Sequence, residues 1–213
     1  MGGNGRIVAI GFVVAGVLSL IGGQMHPRGK GDSKNDYLIS MLGNPTWAAS
    51  HLLMLAGLVV AVATFLTAKR EAVFGPSVST WLTVAAIGSA IGAAELVPHV
   101  AASNDLEGLQ HHHDTPVLDF HLMMQVLATP ALGITIAAVA IAVARDARTK
   151  AAWTLAVIAA ISGVLYGLAG PLVNFTESVA VTPLFAAQTG VAIWLLGTGI
   201  RLLVPSRAVV LSS

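Results

Sequence analysis

The sequence predicts an all-α integral membrane protein, a six-span transmembrane helical bundle, and two observations support this fold class. Of the 213 residues, 55% are hydrophobic and only 10% are charged, whereas a soluble domain has about 25% charged residues. With a mean hydropathy of +0.81, the chain cannot cover a water-exposed surface, and lipid must be its main solvent. The apolar residues also stand in long continuous runs without the alternation of barrel strands, which leaves helices as the spanning structure.

Six apolar runs approach or exceed the length of about 20 residues that a helix needs to cross a bilayer. They form a single transmembrane domain and cover residues 7–23, 47–68, 78–100, 116–144, 151–172 and 183–203. The first run follows a weakly basic leader, as the apolar core of a signal peptide does, but Ile21, Gly22 and Gly23 make a poor cleavage site. In the longest loop, residues 24–46, we expect a short amphipathic turn over residues 36–42.

The distribution of basic residues predicts the orientation, because short cytoplasmic loops are enriched in Lys and Arg. The loops after the second and fourth runs are basic, and the residues concerned are Lys69, Arg70, Arg145, Arg148 and Lys150. The loop after the third run has Asp105, Glu107 and Asp114 but no basic residue. We therefore expect both termini to be cytoplasmic. The first loop contains Arg28, Lys30 and Lys34 and weakly favours the opposite orientation.

Composition also excludes several classes of function. The chain has no cysteine, which excludes disulfides, thiolate zinc sites, iron–sulfur clusters and covalent c-type haem. The net charge of +1 gives no indication of a nucleic-acid partner. The expected partner is the lipid bilayer, and membrane-protein subunits are open as further partners.

All seven histidines fall in, or within about two helical turns of, a predicted loop on one face of the bundle, and we expect this face to be the outer one. They are His26, His51, His99, His111, His112, His113 and His121. Histidine is the commonest metal ligand. Ionisable residues inside membrane spans are costly and mark functional sites. The pattern therefore predicts a site at this face.

Three different spans supply the expected metal ligands His51, His99 and His121. Glu95 lies inside an apolar stretch and four residues before His99, on the same helix face, where it would be a fourth ligand or a general base. Asp119 and Gln125 are expected to orient the ligands by hydrogen bonds.

Two cofactors satisfy this pattern. A transition-metal ion such as Zn, Cu or Fe suits imidazoles with a carboxylate. A haem b would use His51 and His121 as axial ligands, with Gly57, Gly88 and Gly92 giving room beside the ring. Either cofactor would serve redox chemistry, electron transport or metal-dependent chemistry, and the sequence leaves open whether the protein is an enzyme.

The alternative is a non-enzymatic membrane subunit or a small transporter whose histidines are interfacial. An acid–histidine relay is typical of transporters, but no ionisable residue lies in the inner half of any span. His26 alone is expected to be interfacial. The run His111, His112 and His113 is expected to be a solvated loop, with adventitious metal binding as the second interpretation. Four further polar residues are expected to line the same cavity, namely Tyr166, Asn174, Glu177 and Gln188.

Overall fold

A computed structural model describes residues 3–204, and in this range the chain is helical with no β-strand. The α-helices are α1 (Gly3–Met25), α2 (Lys34–Leu42), α3 (Trp47–Arg70), α4 (Ser79–Ala101), α5 (Leu106–Gln110), α6 (Pro116–Ala147), α7 (Lys150–Thr176) and α8 (Gln188–Leu203). Three 3₁₀ segments connect them, at Pro76–Val78, Ala102–Asp105 and Val179–Ala187. The C-terminus, predicted to be cytoplasmic, lies outside the described residues.

Within residues 3–204, six helical segments are long and apolar enough to cross a membrane, and each contains one of the predicted runs. The protein is thus indicated to be multi-pass. The predicted amphipathic turn is the short helix α2, whose N-terminus is capped by Ser33. The sixth span differs from the expected single α-helix, because it begins as the 3₁₀ segment Val179–Ala187. Pro183 lies inside this segment and lacks the N–H that an α-helix needs.

The six long helices form a closed ring. In this ring α1 packs against α3 and α8, α4 packs against α3 and α6, and α7 packs against α6 and α8. Large apolar side chains such as Leu127, Ile161 and Ile87 remain exposed on the outside of the ring, where lipid would contact them. The short helices α2 and α5 lie against each other over one end of the ring.

One half of the ring is filled by tightly packed apolar side chains. Phe12 lies at its centre, with its ring centroid 5.5 Å from that of Phe65 and 6.1 Å from that of Trp194. All three side chains are buried. Helices α6 and α7 approach most closely at Gly133 and Gly163, where a Cβ on either glycine would collide with the backbone carbonyl of the other. Small residues permit such close helix packing in membranes.

Candidate metal centre

Four segments of the chain bring ionisable side chains together at the other end of the ring. His26 follows the last residue of α1, and His51 lies in the second turn of α3. Glu95 and His99 lie near the end of α4, and His121 lies in the second turn of α6. We call these five residues the histidine cluster. The sequence-based expectation that separate spans deliver these residues to one depth agrees with this arrangement.

Glu95 is the contact point between α4 and α6 within the histidine cluster. Its Oε1 atom lies 2.6 Å from Nδ1 of His121 and 3.1 Å from Nδ1 of His99. The side chains are 6%, 4% and 12% exposed, respectively. Glu95 is thus within ion-pairing distance of both imidazoles, although the angles at these three atoms fall short of hydrogen-bond geometry. Three buried ligand atoms therefore converge on one point.

A second group consists of His26, His51 and His99, each offering one ring nitrogen within 4.8 Å of the others. The ring centroid of His51 lies 4.7 Å from that of His26 and 4.2 Å from that of His99. His99 and His121 stack with their centroids 3.8 Å apart. The four imidazoles thus form a continuous row, with His99 shared by both groups.

Sequence reasoning ranked His26 below His51, His99 and His121, yet its ring lies in this row. Its position just after α1 carried no helical periodicity that would have linked it to His51. Burial lowers the pKa of His26 below its ordinary value. The imidazole is therefore neutral at physiological pH, which is the form that binds metals.

The N-terminus of α6 is capped by a carboxylate from the preceding connection. Asp105 Oδ2 accepts hydrogen bonds from the backbone N–H groups of Val117 and Leu118, at 2.7 and 2.9 Å. A carboxylate at a helix N-terminus satisfies free N–H groups and interacts favourably with the helix dipole. This cap holds the first turn of α6 against the loop, and His121 follows in the next turn.

A cavity of about 630 Å³ opens beside the histidine cluster. Glu95, His99 and His121 form part of its wall, together with His26. It reaches into the ring as far as residues such as Leu132. Its volume is in the range of pockets that hold small molecules, about 300–1,000 Å³.

The far wall and the mouth of the cavity are polar in places. Tyr166 and Gln188 line it, as the sequence predicted, and so does Glu177. Glu177 lies at the mouth and pairs with Lys34 of α2, at 3.8 Å between Oε1 and Nζ. Asn174 does not border the cavity directly but donates to Gln125 Oε1 at 3.2 Å.

The two expected orienting residues have different outcomes. Gln125 is buried, lines the cavity and lies one turn beyond His121 on the same face of α6. Asp119 does not join the cluster, and that expectation was wrong: its side chain is exposed and accepts a hydrogen bond from Thr115 at 3.3 Å. Two residues along a helix correspond to a rotation of about 200°, which directs Asp119 away from His121.

The run His111, His112 and His113 is exposed in the loop between α5 and α6. The centroids of His111 and His113 are 6.2 Å apart, and neither belongs to the two groups of converging ligand atoms. The expected solvated loop agrees with this exposure.

Most of the glycines expected to make room for haem lie instead at close contacts between helices. A Cβ at Gly57 would lie 2.6 Å from Ser19 Oγ on α1, and one at Gly88 would lie 2.5 Å from the carbonyl oxygen of Ala131 on α6. Only Gly92 of the three borders the cavity. Gly57 and Gly88 therefore bring helices together, and the expectation that they leave space beside a porphyrin was wrong.

In comparisons with known proteins, no family model, no curated protein and no solved structure matches the chain.

Proposed function

We propose that this protein is a multi-pass membrane protein that binds a transition-metal ion through Glu95, His99 and His121. The bound ion would serve redox or metal-dependent chemistry on a small molecule held in the adjoining cavity. Two imidazoles and one carboxylate make a ligand set suited to Zn, Cu or Fe, and three protein ligands leave coordination positions open. All three residues line the cavity, so an open position would be accessible from it.

The observation that carries this proposal is the convergence of Glu95 Oε1 with Nδ1 of His99 and Nδ1 of His121. The separations of 2.6 and 3.1 Å are close to the roughly 3 Å that separates neighbouring ligand atoms bound at about 2.1 Å from one ion. The three atoms are buried together, and they reach one another as ion pairs that fall short of hydrogen-bond geometry. A shared metal ion would satisfy all three at once.

The ring contacts favour an ion over haem b. A porphyrin lies between its two axial imidazoles, which separates their rings by the thickness of the macrocycle and two iron–nitrogen bonds. The rings of His99 and His121 are instead in direct stacking contact, at 3.8 Å, and the row continues to His51 at 4.2 Å. This contact leaves no space for a macrocycle between neighbouring rings of the row.

The packed half of the ring favours a site over a transport pathway. The cavity opens at the end that carries the histidine cluster, and the opposite half is filled by the contacts of Phe12 with Phe65 and Trp194. A transporter would need polar groups that continue through this half.

The test compares metal content in the purified, tag-free protein by elemental mass spectrometry after reconstitution with Zn²⁺, Cu²⁺ or Fe²⁺. We expect the wild type to retain metal that Glu95→Gln loses, because the amide carries no negative charge. Asp119→Asn is the matched control, since it makes the same change at an exposed carboxylate on α6 and should retain the metal. Equal metal content in wild type and Glu95→Gln would contradict the proposal. A Soret band in the absorption spectrum would show that the cofactor is haem and not a metal ion.

The same proposal includes an orientation, with the histidine cluster on the outer face and both termini cytoplasmic. Its support is the excess of basic residues at the opposite end, in the loops that contain Lys69, Arg70, Arg148 and Lys150. Reporter tags inserted at residue 72 and at the C-terminus should report the cytoplasm, and a tag near Glu107 should report the exterior. A cytoplasmic signal from the Glu107 tag would reverse the assignment.

A further inference from the structure

We propose that the histidine cluster binds a second metal ion, through His26, His51 and one nitrogen of His99. This inference extends the proposed function, because His99 would be shared with the ion at Glu95 and His121. The ligand is a divalent transition-metal ion of the kind that imidazoles prefer, such as Zn²⁺ or Cu²⁺.

The first observation is the state of His51. Its Nδ1 atom lies 2.6 Å from the backbone carbonyl oxygen of Trp47. Since a carbonyl oxygen only accepts, Nδ1 must carry the proton and donate it, which leaves a lone pair on Nε2. The residue is fully buried, and its Nε2 atom has no hydrogen-bond partner. Histidines that ligate metals commonly hold their other N–H in this way, against a backbone carbonyl.

The second observation is what surrounds His51. The rings of His26 and His99 flank it at 4.7 and 4.2 Å between centroids. The three residues each offer a nitrogen within 4.8 Å of the others, and they come from the end of α1, from α3 and from α4. Three nitrogens from three segments can ligate one ion, as in three-histidine zinc sites.

The third observation concerns His99, which belongs to both groups of converging ligands. Its Nδ1 atom lies 3.1 Å from Glu95 Oε1 and belongs to the first site. The two nitrogens of an imidazole point away from each other, so Nε2 of His99 is available for the second ion. When both nitrogens bind metal, the neutral ring loses its one N–H proton to solvent and becomes an imidazolate bridge. The two ions would then lie roughly 6 Å apart, given metal–nitrogen bonds of about 2.0–2.1 Å.

Trp47 separates this second site from the surface. Its ring lies 4.1 Å from that of His51 and 5.1 Å from that of His99, measured between centroids. The indole N–H donates to the backbone carbonyl of Val100 at 3.3 Å, which fixes the ring over the two histidines. Of the second site's three ligands, His26 and His99 border the cavity, as Glu95 and His121 do, whereas His51 does not. Both ions would therefore lie beside the cavity, and the second would support the first through the shared His99.

The test is the stoichiometry of Zn²⁺ binding to the tag-free, full-length protein in detergent, by equilibrium dialysis and elemental mass spectrometry. We expect two ions per chain in the wild type, one in His51→Asn and one in Glu95→Gln. In His51→Asn the side-chain amide can still donate to the Trp47 carbonyl, so the variant removes Nε2 while keeping the local hydrogen bond. His26→Ala should lose the same single ion.

The outcomes separate the second site from the proposed function. One ion in the wild type that persists in His51→Asn but disappears in Glu95→Gln would overturn the second site and leave the first intact. One ion that disappears in His51→Asn but persists in Glu95→Gln would overturn the proposed function and leave the second site. Loss of an ion when His111, His112 and His113 are replaced together by alanine, with His51→Asn unchanged from wild type, would also overturn the second site.

Discussion

The two halves of the helical ring differ in the side chains that fill their interior. In one half, Phe12, Phe65 and Trp194 fill the interior with apolar contacts. In the other half, the interior holds a cavity of about 630 Å³ and a row of imidazoles around the carboxylate of Glu95. The closely packed apolar side chains and the buried ionisable groups thus lie at different ends of the same helices.

This difference explains how a membrane protein tolerates so many buried ionisable groups at one level. Helices in lipid associate through close packing rather than through the hydrophobic effect, and the half around Phe12 provides that packing. The half around Glu95 is then free to keep a buried polar atom without a hydrogen-bond partner, Nε2 of His51. If this division is correct, substitutions in the two halves should have separable effects.

The largest effect is expected from His121→Ala, which removes a ligand from the first site. Metal affinity should fall by at least about 100-fold, which corresponds to about 2.7 kcal/mol. In the wild type, saturating Zn²⁺ should raise the thermal midpoint in detergent, because binding to the folded state stabilises it by about 2.7 kcal/mol at 100 times the dissociation constant. A chelator should reverse this shift. Thermal unfolding of His121→Ala should show a smaller response to both, limited to the ion at His26, His51 and His99, and a full Zn²⁺ response in that variant would contradict the assignment.

The next effect is expected in the packed half. Phe12→Ala should destabilise the protein by about 3–5 kcal/mol, because it leaves a cavity where a fully buried ring was in contact with Phe65 and Trp194. Its metal content per folded chain should equal that of the wild type. Unfolding in detergent and elemental analysis check the two parts separately. Loss of metal from a variant that is otherwise folded would show that the halves are coupled.

A smaller effect is expected at the contact between α6 and α7. Gly133→Ala should destabilise by about 1–3 kcal/mol, since its Cβ would collide with the backbone of Gly163 and force the helices apart. Gly23→Ala is the matched control, because no atom lies within 4 Å of a Cβ at that position. There the gain in helix propensity should be neutral or stabilising by up to about 1 kcal/mol. Equal thermal midpoints in the two variants would argue against a close contact at Gly133.

The smallest effect is expected from the loop. Replacing His111, His112 and His113 together by alanine should change neither the metal content nor the thermal midpoint, because all three side chains are exposed outside the histidine cluster. Surface changes of this kind usually stay within about 0.5 kcal/mol. If the triple variant loses the metal while His51→Ala, His99→Ala and His121→Ala each retain it, the site lies in the loop.

Much of this architecture could be predicted from the sequence because lipid imposes simple rules. Continuous apolar runs gave the six helical segments, and the rarity of charges in such runs singled out Glu95. The four-residue spacing from Glu95 to His99 placed them on one helix face, where both now approach the same point.

The remainder depended on how segments meet in space. His26 follows a helix end, so no period connected it with His51, and only the packing of α1 against α3 brings the two rings together. Asp119 was expected in the site because it is close to His121 in sequence, but the helical rotation turns it outward. Asp105 caps α6 by accepting hydrogen bonds from Val117 and Leu118, which lie 12 and 13 positions further along the chain. No periodic pattern in the sequence connects residues at these separations.

The most direct test of the central claim is anomalous X-ray diffraction from crystals of the Zn²⁺-reconstituted, tag-free protein, with data recorded on both sides of the zinc absorption edge. We predict an anomalous difference peak bounded by Glu95 Oε1, Nδ1 of His99 and Nδ1 of His121, on the side that faces the cavity. A peak confined to the loop of His111, His112 and His113, with none inside the helical ring, would contradict the account.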